Sequence, residues 1–256
     1  MIFDLIFVRH GQSCANAWQL KYYGAHIFYK DPELTQMGID VSKMLAMSLQ
    51  EHIAGRWSNE PYTIGASRMI RAQETAFYML AQATNKPINV FPHIAEHGIT
   101  RDNWSEAPTD QYAIMNRRNP DVCKLITRGQ DYREPQSFRT KSNWALFMHW
   151  AVANPDAFAK GTDNTYRAVI FSHGHFLNSV FGFPYSMKNN DALNTVINTA
   201  IDYTSPRYEY WPLNRSTSID MCPDNCISSP CTVKRGGKKR SIRKTRKVAP
   251  RIKQNL

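Results

Sequence analysis

The chain has 256 residues, of which 42% are hydrophobic and 12% aromatic. This composition suits a packed globular domain and excludes a disordered chain. No stretch approaches 18 uncharged apolar residues, so no membrane span is expected. The net charge of +11 arises near the C-terminus, because 11 basic residues and no acidic residue lie within 234–253. The remainder carries 21 basic and 21 acidic residues and is formally neutral.

The N-terminal residues 2–8 are apolar and predict a buried strand. They lack the basic region and small-residue cleavage site of a signal peptide, so an intracellular location, cytoplasmic or nuclear, is expected. Three cysteines near the other end, Cys222, Cys226 and Cys231, have irregular spacing and no following histidine. This pattern does not match a structural zinc site, and we expect neither a metal nor another cofactor.

Strand and helix patterns alternate along the chain. Thr35 is expected to cap a helix that ends at Gly55. The other elements expected, in chain order, are a strand at 62–66, a helix at 68–84, a strand at 88–91, a helix at 143–153, and strands at 167–171 and 196–202. The alternation predicts an α/β fold, a three-layer α/β/α sandwich around a mostly parallel sheet.

Two segments interrupt this pattern. Residues 92–141 are polar and show no clear long element, which is typical of a lid or a functional insertion. After residue 213 the chain turns to Ser, Pro, Cys and Asn and then to basic residues, so we expect a domain at 1–213 and a disordered basic tail at 214–256. The segment 234–253 predicts a nucleic acid or acidic protein partner; a nuclear address and a solubilising tail are the alternatives.

Histidine, arginine and glutamate side chains, with a serine and a glycine beside them, follow four of the predicted strands near the point where each strand ends. Because the carboxyl ends of parallel strands meet at one edge of a sheet, these residues should converge. They are Arg9, His10, Ser67, Arg71, Glu96, His173 and Gly174. Two imidazoles and two guanidiniums around one pocket suit a phosphate dianion, since each guanidinium grips two oxygens at once.

The same residues suggest a reaction. A neutral imidazole is a competent nucleophile near its ordinary pKa, so His10 needs no activating base. Glycine beside each histidine lets the backbone approach a bulky anion, and the helix start at Gly174 offers N–H groups to it. A leaving alkoxide needs a proton, and Glu96 is the available acid.

These motifs resemble those of the histidine phosphatase superfamily, which is also called phosphoglycerate mutase-like. The matching residues are Arg9, His10, Gly11, Ser13 and Asn16; Asp31, Leu34, Thr35 and Gly38; Ser67, Arg71, Thr75 and Ala76; and Ser172, His173 and Gly174. The resemblance covers roughly residues 2–212 and is poor through 97–141. It implies catalytic roles for His10, Glu96 and His173. Arg9, Arg71, Asn16 and Gly174 are then expected to contact the substrate phosphate.

The function expected is metal-independent hydrolysis of phosphomonoesters through a phosphohistidine. A phosphoglycerate-type mutase is an alternative, although Glu96-His97-Gly98 departs from the Glu-Arg-His-Tyr-Gly of that branch. A third reading is a binding protein that keeps the phosphate pocket and docks on nucleic acid through its tail. Substrate identity stays open among sugar phosphates, inositol phosphates, nucleotides and phosphoproteins.

Overall fold

Strands and helices alternate through the part of the chain that the computed structural model describes, residues 1–21, 29–96, 100–127, 140–182, 187–201, 203 and 206–213. The strands are β1 (Ile2–Arg9), β2 (Thr63–Ala66), β3 (Ile88–Val90), β4 (Ile126–Thr127), β5 (Ala159–Lys160), β6 (Thr165–Ser172), β7 (Ala192–Asn198) and β8 (Glu209–Trp211). The α-helices are α1 (Cys14–Lys21), α2 (Gln36–Trp57), α3 (Ile70–Ala76), α4 (Gln82–Thr84), α5 (Pro108–Arg118), α6 (Pro120–Leu125), α7 (Thr140–Ala153) and α8 (Gly174–Phe181). The basic tail and its three cysteines lie outside the described residues.

The strands form one sheet in the order β4-β3-β2-β6-β1-β7-β8, with β5 paired to β6. The pairings β1–β6, β2–β6, β2–β3 and β3–β4 are parallel, whereas β5, β7 and β8 join antiparallel. The predicted α/β fold with a mostly parallel sheet flanked by helices is confirmed. No helix within the described ranges is long and apolar enough to cross a membrane.

Strand β1 lies inside the sheet and is buried on both faces, which explains its continuous apolar sequence. Its side chains alternate between two hydrophobic cores. Ile6 and Val8 pack in the core that contains the apolar residues of α2 and α3. Phe3, Leu5 and Phe7 pack in the core formed with α7 and α8. Helices therefore cover both faces of the sheet, as the three-layer prediction requires.

The start of α2 is as predicted, but its end is not. The Thr35 hydroxyl oxygen accepts a hydrogen bond from Gly38 N at 2.9 Å and caps the helix. The helix then continues past Gly55 to Trp57 and ends at Ser58, whose φ of 47° is left-handed. The predicted cap at Gly55 is wrong because the left-handed residue that ends the helix is Ser58, three positions further along the chain.

Other boundaries also differ from expectation. The helix predicted at 68–84 contains a π-helical turn at Phe77–Ala81 between α3 and α4. The last long strand is Ala192–Asn198, earlier than the predicted 196–202. The segment expected to lack long elements holds α5 and α6, which meet at Asn119. Helix α5 buries only Gln111 and Met115, so it has no apolar stripe to reveal it in the sequence.

Candidate active site

The ends of β1, β6 and β2 bring the two predicted catalytic histidines together. His10 N donates to Ser172 O at 2.9 Å, and Ser67 N donates to Phe171 O at 2.9 Å, so the three strand ends lie side by side. His10 follows β1 and His173 follows β6. Their ring centroids are 5.1 Å apart, and both side chains are buried.

His10 is held in one tautomer by its own backbone neighbour. Its Nδ1 lies 2.6 Å from Gly11 O, and because the carbonyl only accepts, Nδ1 carries the proton. Its Nε2 therefore has the lone pair, which accepts a hydrogen bond from Arg71 Nε at 3.3 Å. Burial lowers the pKa of His10 well below its usual 6.5, and the charges of Arg71 and Arg9 lower it further. The imidazole is thus neutral, with a nucleophilic nitrogen facing a guanidinium.

Arg71 is the second residue of α3, and its guanidinium contacts three other groups of the site. Its Nη1 donates to Asp102 O at 2.8 Å, and its Nη2 pairs with Glu96 Oε2 at 3.1 Å. The Arg71 side chain is 3% exposed. The hydrogen bonds fix the plane of the guanidinium beside His10.

Arg9 packs against the start of α8. Its Nη1 donates to Met187 O, and its buried Nε has no hydrogen-bond partner among the described residues. A Cβ at Gly174 would lie 2.7 Å from this Nε, so only glycine admits the guanidinium here. Burial lowers the pKa of Arg9, while the Glu96 carboxylate opposes that shift. A buried cation with an unused donor, next to a helix start, is suited to an anion.

Glu96 lies between the second histidine and Arg71. Its Oε2 is 3.8 Å from His173 Nδ1, and its Oε1 accepts a hydrogen bond from His175 N at 3.2 Å. On the other side of the ring, His173 Nε2 is hydrogen-bonded to Ser67 Oγ at 2.6 Å. The Glu96 side chain is 20% exposed, so it keeps a route to solvent.

Asn16 is near the site, but its carbonyl oxygen is engaged. Asn16 Oδ1 accepts from Ser13 N at 3.1 Å and from Asn189 Nδ2 at 3.4 Å, and Ser13 Oγ accepts from Asn16 N at 3.3 Å. This is a reciprocal cap at the start of α1. Only its amide NH₂ group is left to reach an anion, and the phosphate contact stays a prediction.

The sequence reasoning missed residues 189–191, which hydrogen-bond to the backbone of Arg9 and His10. Asn189 Nδ2 donates to His10 O at 2.9 Å. Asn190 N donates to Arg9 O at 3.0 Å, and Arg9 N donates to Asp191 O at 2.9 Å. The only signal in the sequence is the polar run from Lys188 to Asp191 before a strand, which is typical of a turn.

Three side chains of the site could in principle ligate a metal ion. One ligand atom each from His10, Glu96 and His173 lie within 4.8 Å of one another. Arg71, however, donates to His10 Nε2 and pairs with the Glu96 carboxylate, and Arg9 adds a second positive charge. Arg71 thus occupies His10 Nε2 and the Glu96 carboxylate, and the surrounding charge opposes a cation, so the set fits an anion better than a metal.

The fold and the charge of the site define the class, an α/β protein whose cationic cluster suits phosphoryl transfer. Residues 5–206 match the family model of the histidine phosphatase superfamily (branch 1). The match spans most of the chain, so the chain belongs to this superfamily, as its motifs predicted.

The solved structures similar to this chain are distant from it in sequence. The ecdysone phosphate phosphatase of Bombix mori, solved with tungstate, is 14% identical with a TM-score of 0.50, covering 84% of this chain and 95% of its own. Mycobacterial hydrolase 1 is 16% identical with a TM-score of 0.49, covering 83% and 99%. The phosphoserine phosphatase of Entamoeba histolytica is 16% identical with a TM-score of 0.46, covering 82% and 98%. Among curated protein sequences, none matches this chain significantly.

Proposed function

We propose that the protein hydrolyses phosphate monoesters through a phosphohistidine formed on His10, without a metal ion. One observation carries the proposal. The Nδ1 proton of His10 is bound to Gly11 O, and its Nε2 lone pair faces the Arg71 guanidinium. A phosphoryl group that takes the place of His10 Nε2 on the Arg71 guanidinium would therefore meet the lone pair of a neutral imidazole. Membership of the histidine phosphatase superfamily supports the same reading.

In the first step, His10 Nε2 attacks phosphorus and the bond to the ester oxygen breaks. The Arg9 and Arg71 guanidiniums and His173 stabilise charge on the transferring PO₃ group. Glu96 gives its proton to the departing oxygen, so an alcohol leaves. The incoming dianion competes with Glu96 for the Arg71 guanidinium, which frees the Glu96 carboxyl group to face the departing oxygen.

In the second step, water attacks the phosphohistidine. Glu96, now a carboxylate, takes a proton from the water as the new P–O bond forms. The P–N bond breaks, inorganic phosphate leaves, and His10 returns to its neutral form. Two moderate displacements thus replace one direct attack by water, whose barrier is among the highest in biology.

The test is turnover of p-nitrophenyl phosphate by the full-length protein after exhaustive EDTA treatment. Arg9 and Arg71 already supply the positive charge that a metal would otherwise bring, so we expect turnover to survive. Loss of activity, with recovery on adding a divalent ion, would contradict the proposed mechanism. Turnover only in the presence of bisphosphoglycerate would point to a mutase, and a panel of phosphomonoesters would then define the preferred substrate.

A further inference from the structure

Asp31 is a buried carboxylate outside the group of residues proposed to bind the phosphate. It lies between α1 and α2, is fully buried, and has a left-handed φ of 45°. A non-glycine residue held in this conformation is kept there by its surroundings. The contacts of its side chain identify those surroundings.

Both carboxylate oxygens of Asp31 accept hydrogen bonds, and they do so from two different segments. Oδ1 accepts from Ile70 N at 2.8 Å. Oδ2 accepts from Glu106 N at 2.9 Å and from the Gln111 side-chain amide. Three donors converge on one buried anion, which is the arrangement that compensates its desolvation.

Both segments that donate to Asp31 also hold Arg71 in place. Ile70 is the first residue of α3, and Arg71 directly follows it. Glu106 and Gln111 belong to residues 100–127, the same stretch as Asp102, whose carbonyl oxygen accepts from Arg71 Nη1 at 2.8 Å. One carboxylate therefore ties together the backbone that carries Arg71 and the segment that orients its guanidinium.

We infer that Asp31 is a positioning residue that sets the placement of the Arg71 guanidinium beside His10, an inference that rests on the proposed function. Nothing in the contacts of Asp31 suggests that it touches substrate. Its role is to hold the start of α3 and the segment that contains Asp102 at a fixed distance, so that Arg71 binds the phosphoryl group in the attacking geometry. Burial raises the pKa of Asp31 to about 6, against the lowering effects of its three donors, so the carboxylate is ionised at neutral pH.

Asparagine cannot replace this carboxylate. An amide has one accepting oxygen and one NH₂ group, whereas donors approach Asp31 from both sides. Asp31→Asn would place its NH₂ against either Ile70 N or the pair formed by Glu106 N and Gln111. We expect kcat/KM for p-nitrophenyl phosphate to fall about 10- to 100-fold, the scale of a misplacement near 1 Å.

The matched control is Asp121→Asn. Asp121 lies in the same stretch of chain, but its side chain is 62% exposed and contacts Lys124. Removing its charge should leave kcat/KM unchanged within about twofold, because an exposed ion pair contributes little. Gln111→Met removes one donor from Asp31 and keeps the carboxylate, so it should give a smaller loss in the same direction and covers the case in which Asp31→Asn does not fold.

A double-mutant cycle with Arg71→Ala separates positioning from general support of the fold. If Asp31 acts through Arg71, Asp31→Asn should cost less than about twofold in kcat/KM once the guanidinium is absent. The same reduction should hold for Gln111→Met. Equal losses in both backgrounds, or a loss below twofold in the wild-type background, would overturn the inference.

Binding of inorganic phosphate keeps this inference separate from the proposed function. In the wild-type background, Asp31→Asn should raise the Kd for phosphate. In the Arg71→Ala background, adding Asp31→Asn should hardly change that Kd. If the wild-type protein shows no turnover, the proposed function fails, and the phosphate cycle alone then decides whether Asp31 positions Arg71.

Discussion

The proposed role of Glu96 as the proton donor depends on the two residues beside it. It lies between Arg71, which it contacts at 3.1 Å, and His173 Nδ1, at 3.8 Å. In the proposed mechanism the substrate dianion takes the place of Glu96 on the Arg71 guanidinium, and the Glu96 carboxyl group then serves the departing oxygen.

Glu96→Gln should slow hydrolysis of an alkyl phosphate far more than hydrolysis of p-nitrophenyl phosphate. The alkoxide is a poor leaving group and needs the proton, whereas the nitrophenolate departs without help. We expect a loss of roughly 10²- to 10⁴-fold for the alkyl ester, the usual contribution of a general acid. The measurement is kcat for both esters with both proteins. Equal slowing of the two would assign the acid role elsewhere, with Glu106 and Asp102 as the next carboxyl groups to test.

Gly174 allows Arg9 to reach its position, and this can be tested by a single methyl group. A Cβ at 174 would lie 2.7 Å from Arg9 Nε and 2.9 Å from its Cζ, so Gly174→Ala should displace the guanidinium and weaken phosphate binding about 10-fold or more. Gly55→Ala is the matched control. It lies in helix α2 with nothing within 4 Å of the new methyl group, so it should stabilise the fold by about 0.5–1 kcal/mol and leave phosphate affinity unchanged. If Gly174→Ala retains wild-type affinity for phosphate, the placement of Arg9 is wrong.

At the scale of elements, a buried ion pair joins residues 100–127 to α3, the helix that carries Arg71. Arg118 of α5 pairs with Glu74 of α3 at 3.0 Å, and the two side chains are only 8% and 1% exposed. Glu74 Oε2 also accepts from Leu34 N at 2.7 Å. Burial raises the pKa of Glu74 from 4.5 to about 7, with Arg118 acting in the opposite direction. This buried pair holds α5 against α3, the helix that carries Arg71.

Arg118→Met should therefore destabilise the protein in a pH-dependent way. Removing the cation leaves Glu74 buried without its partner charge, which costs about 3–5 kcal/mol when the carboxylate is ionised. A carboxyl group whose folded pKa is raised stabilises the fold below its unfolded pKa and loses that contribution as pH rises through the folded value. Without Arg118 the folded pKa rises further, so the loss of unfolding free energy should be largest near pH 8.5 and smaller near pH 5.5.

The measurement is the unfolding free energy of Arg118→Met and of the wild type, obtained from urea unfolding at both pH values. Lys124→Met is the control, because the side chains of its pair with Asp121 are 72% and 62% exposed, so its loss should hardly change the unfolding free energy at either pH. A destabilisation of Arg118→Met that grows as pH falls would show that Glu74 does not take up the proton.

The elements also show where sequence reasoning succeeds and where it ends. His10, Arg71, Glu96 and His173 could be placed together because each follows a strand, and parallel strand ends converge whatever the intervening chain does. The hydrogen bond from Asn189 to His10 O could not be predicted, since it joins residues 179 positions apart and depends on how a turn packs. Helix α5 escaped notice for a related reason, because its buried residues Gln111 and Met115 follow no apolar pattern.

At the scale of the whole molecule, the catalytic groups and the positive charge occupy different parts of the chain. Every residue proposed to act in catalysis or to bind the phosphate precedes position 175, and the 11 basic residues of 234–253 lie beyond the last described strand. We propose that this tail binds nucleic acid or an acidic partner independently of catalysis. The remainder of the chain is formally neutral and has no comparable excess of cations.

A chain ending near Pro230 should keep its turnover of a small phosphate ester and lose its binding to DNA, RNA or heparin. Binding by the full-length protein should weaken steeply with salt, because each neutralised phosphate releases a counterion. Filter binding and turnover of both chains provide the comparison. Loss of turnover on truncation would make the tail part of the catalytic unit. Polyanion binding that survives truncation would require a basic surface on the folded part.

The phosphohistidine tests the central claim most directly. A substrate labelled with ³²P, quenched during turnover, should leave one base-stable, acid-labile phosphate on the wild-type protein, and mass spectrometry should place it at His10. His10→Ala should carry no such label and show no hydrolysis, with an unchanged circular dichroism spectrum. Near-full turnover by His10→Ala, or a label that maps to another residue, would contradict the account.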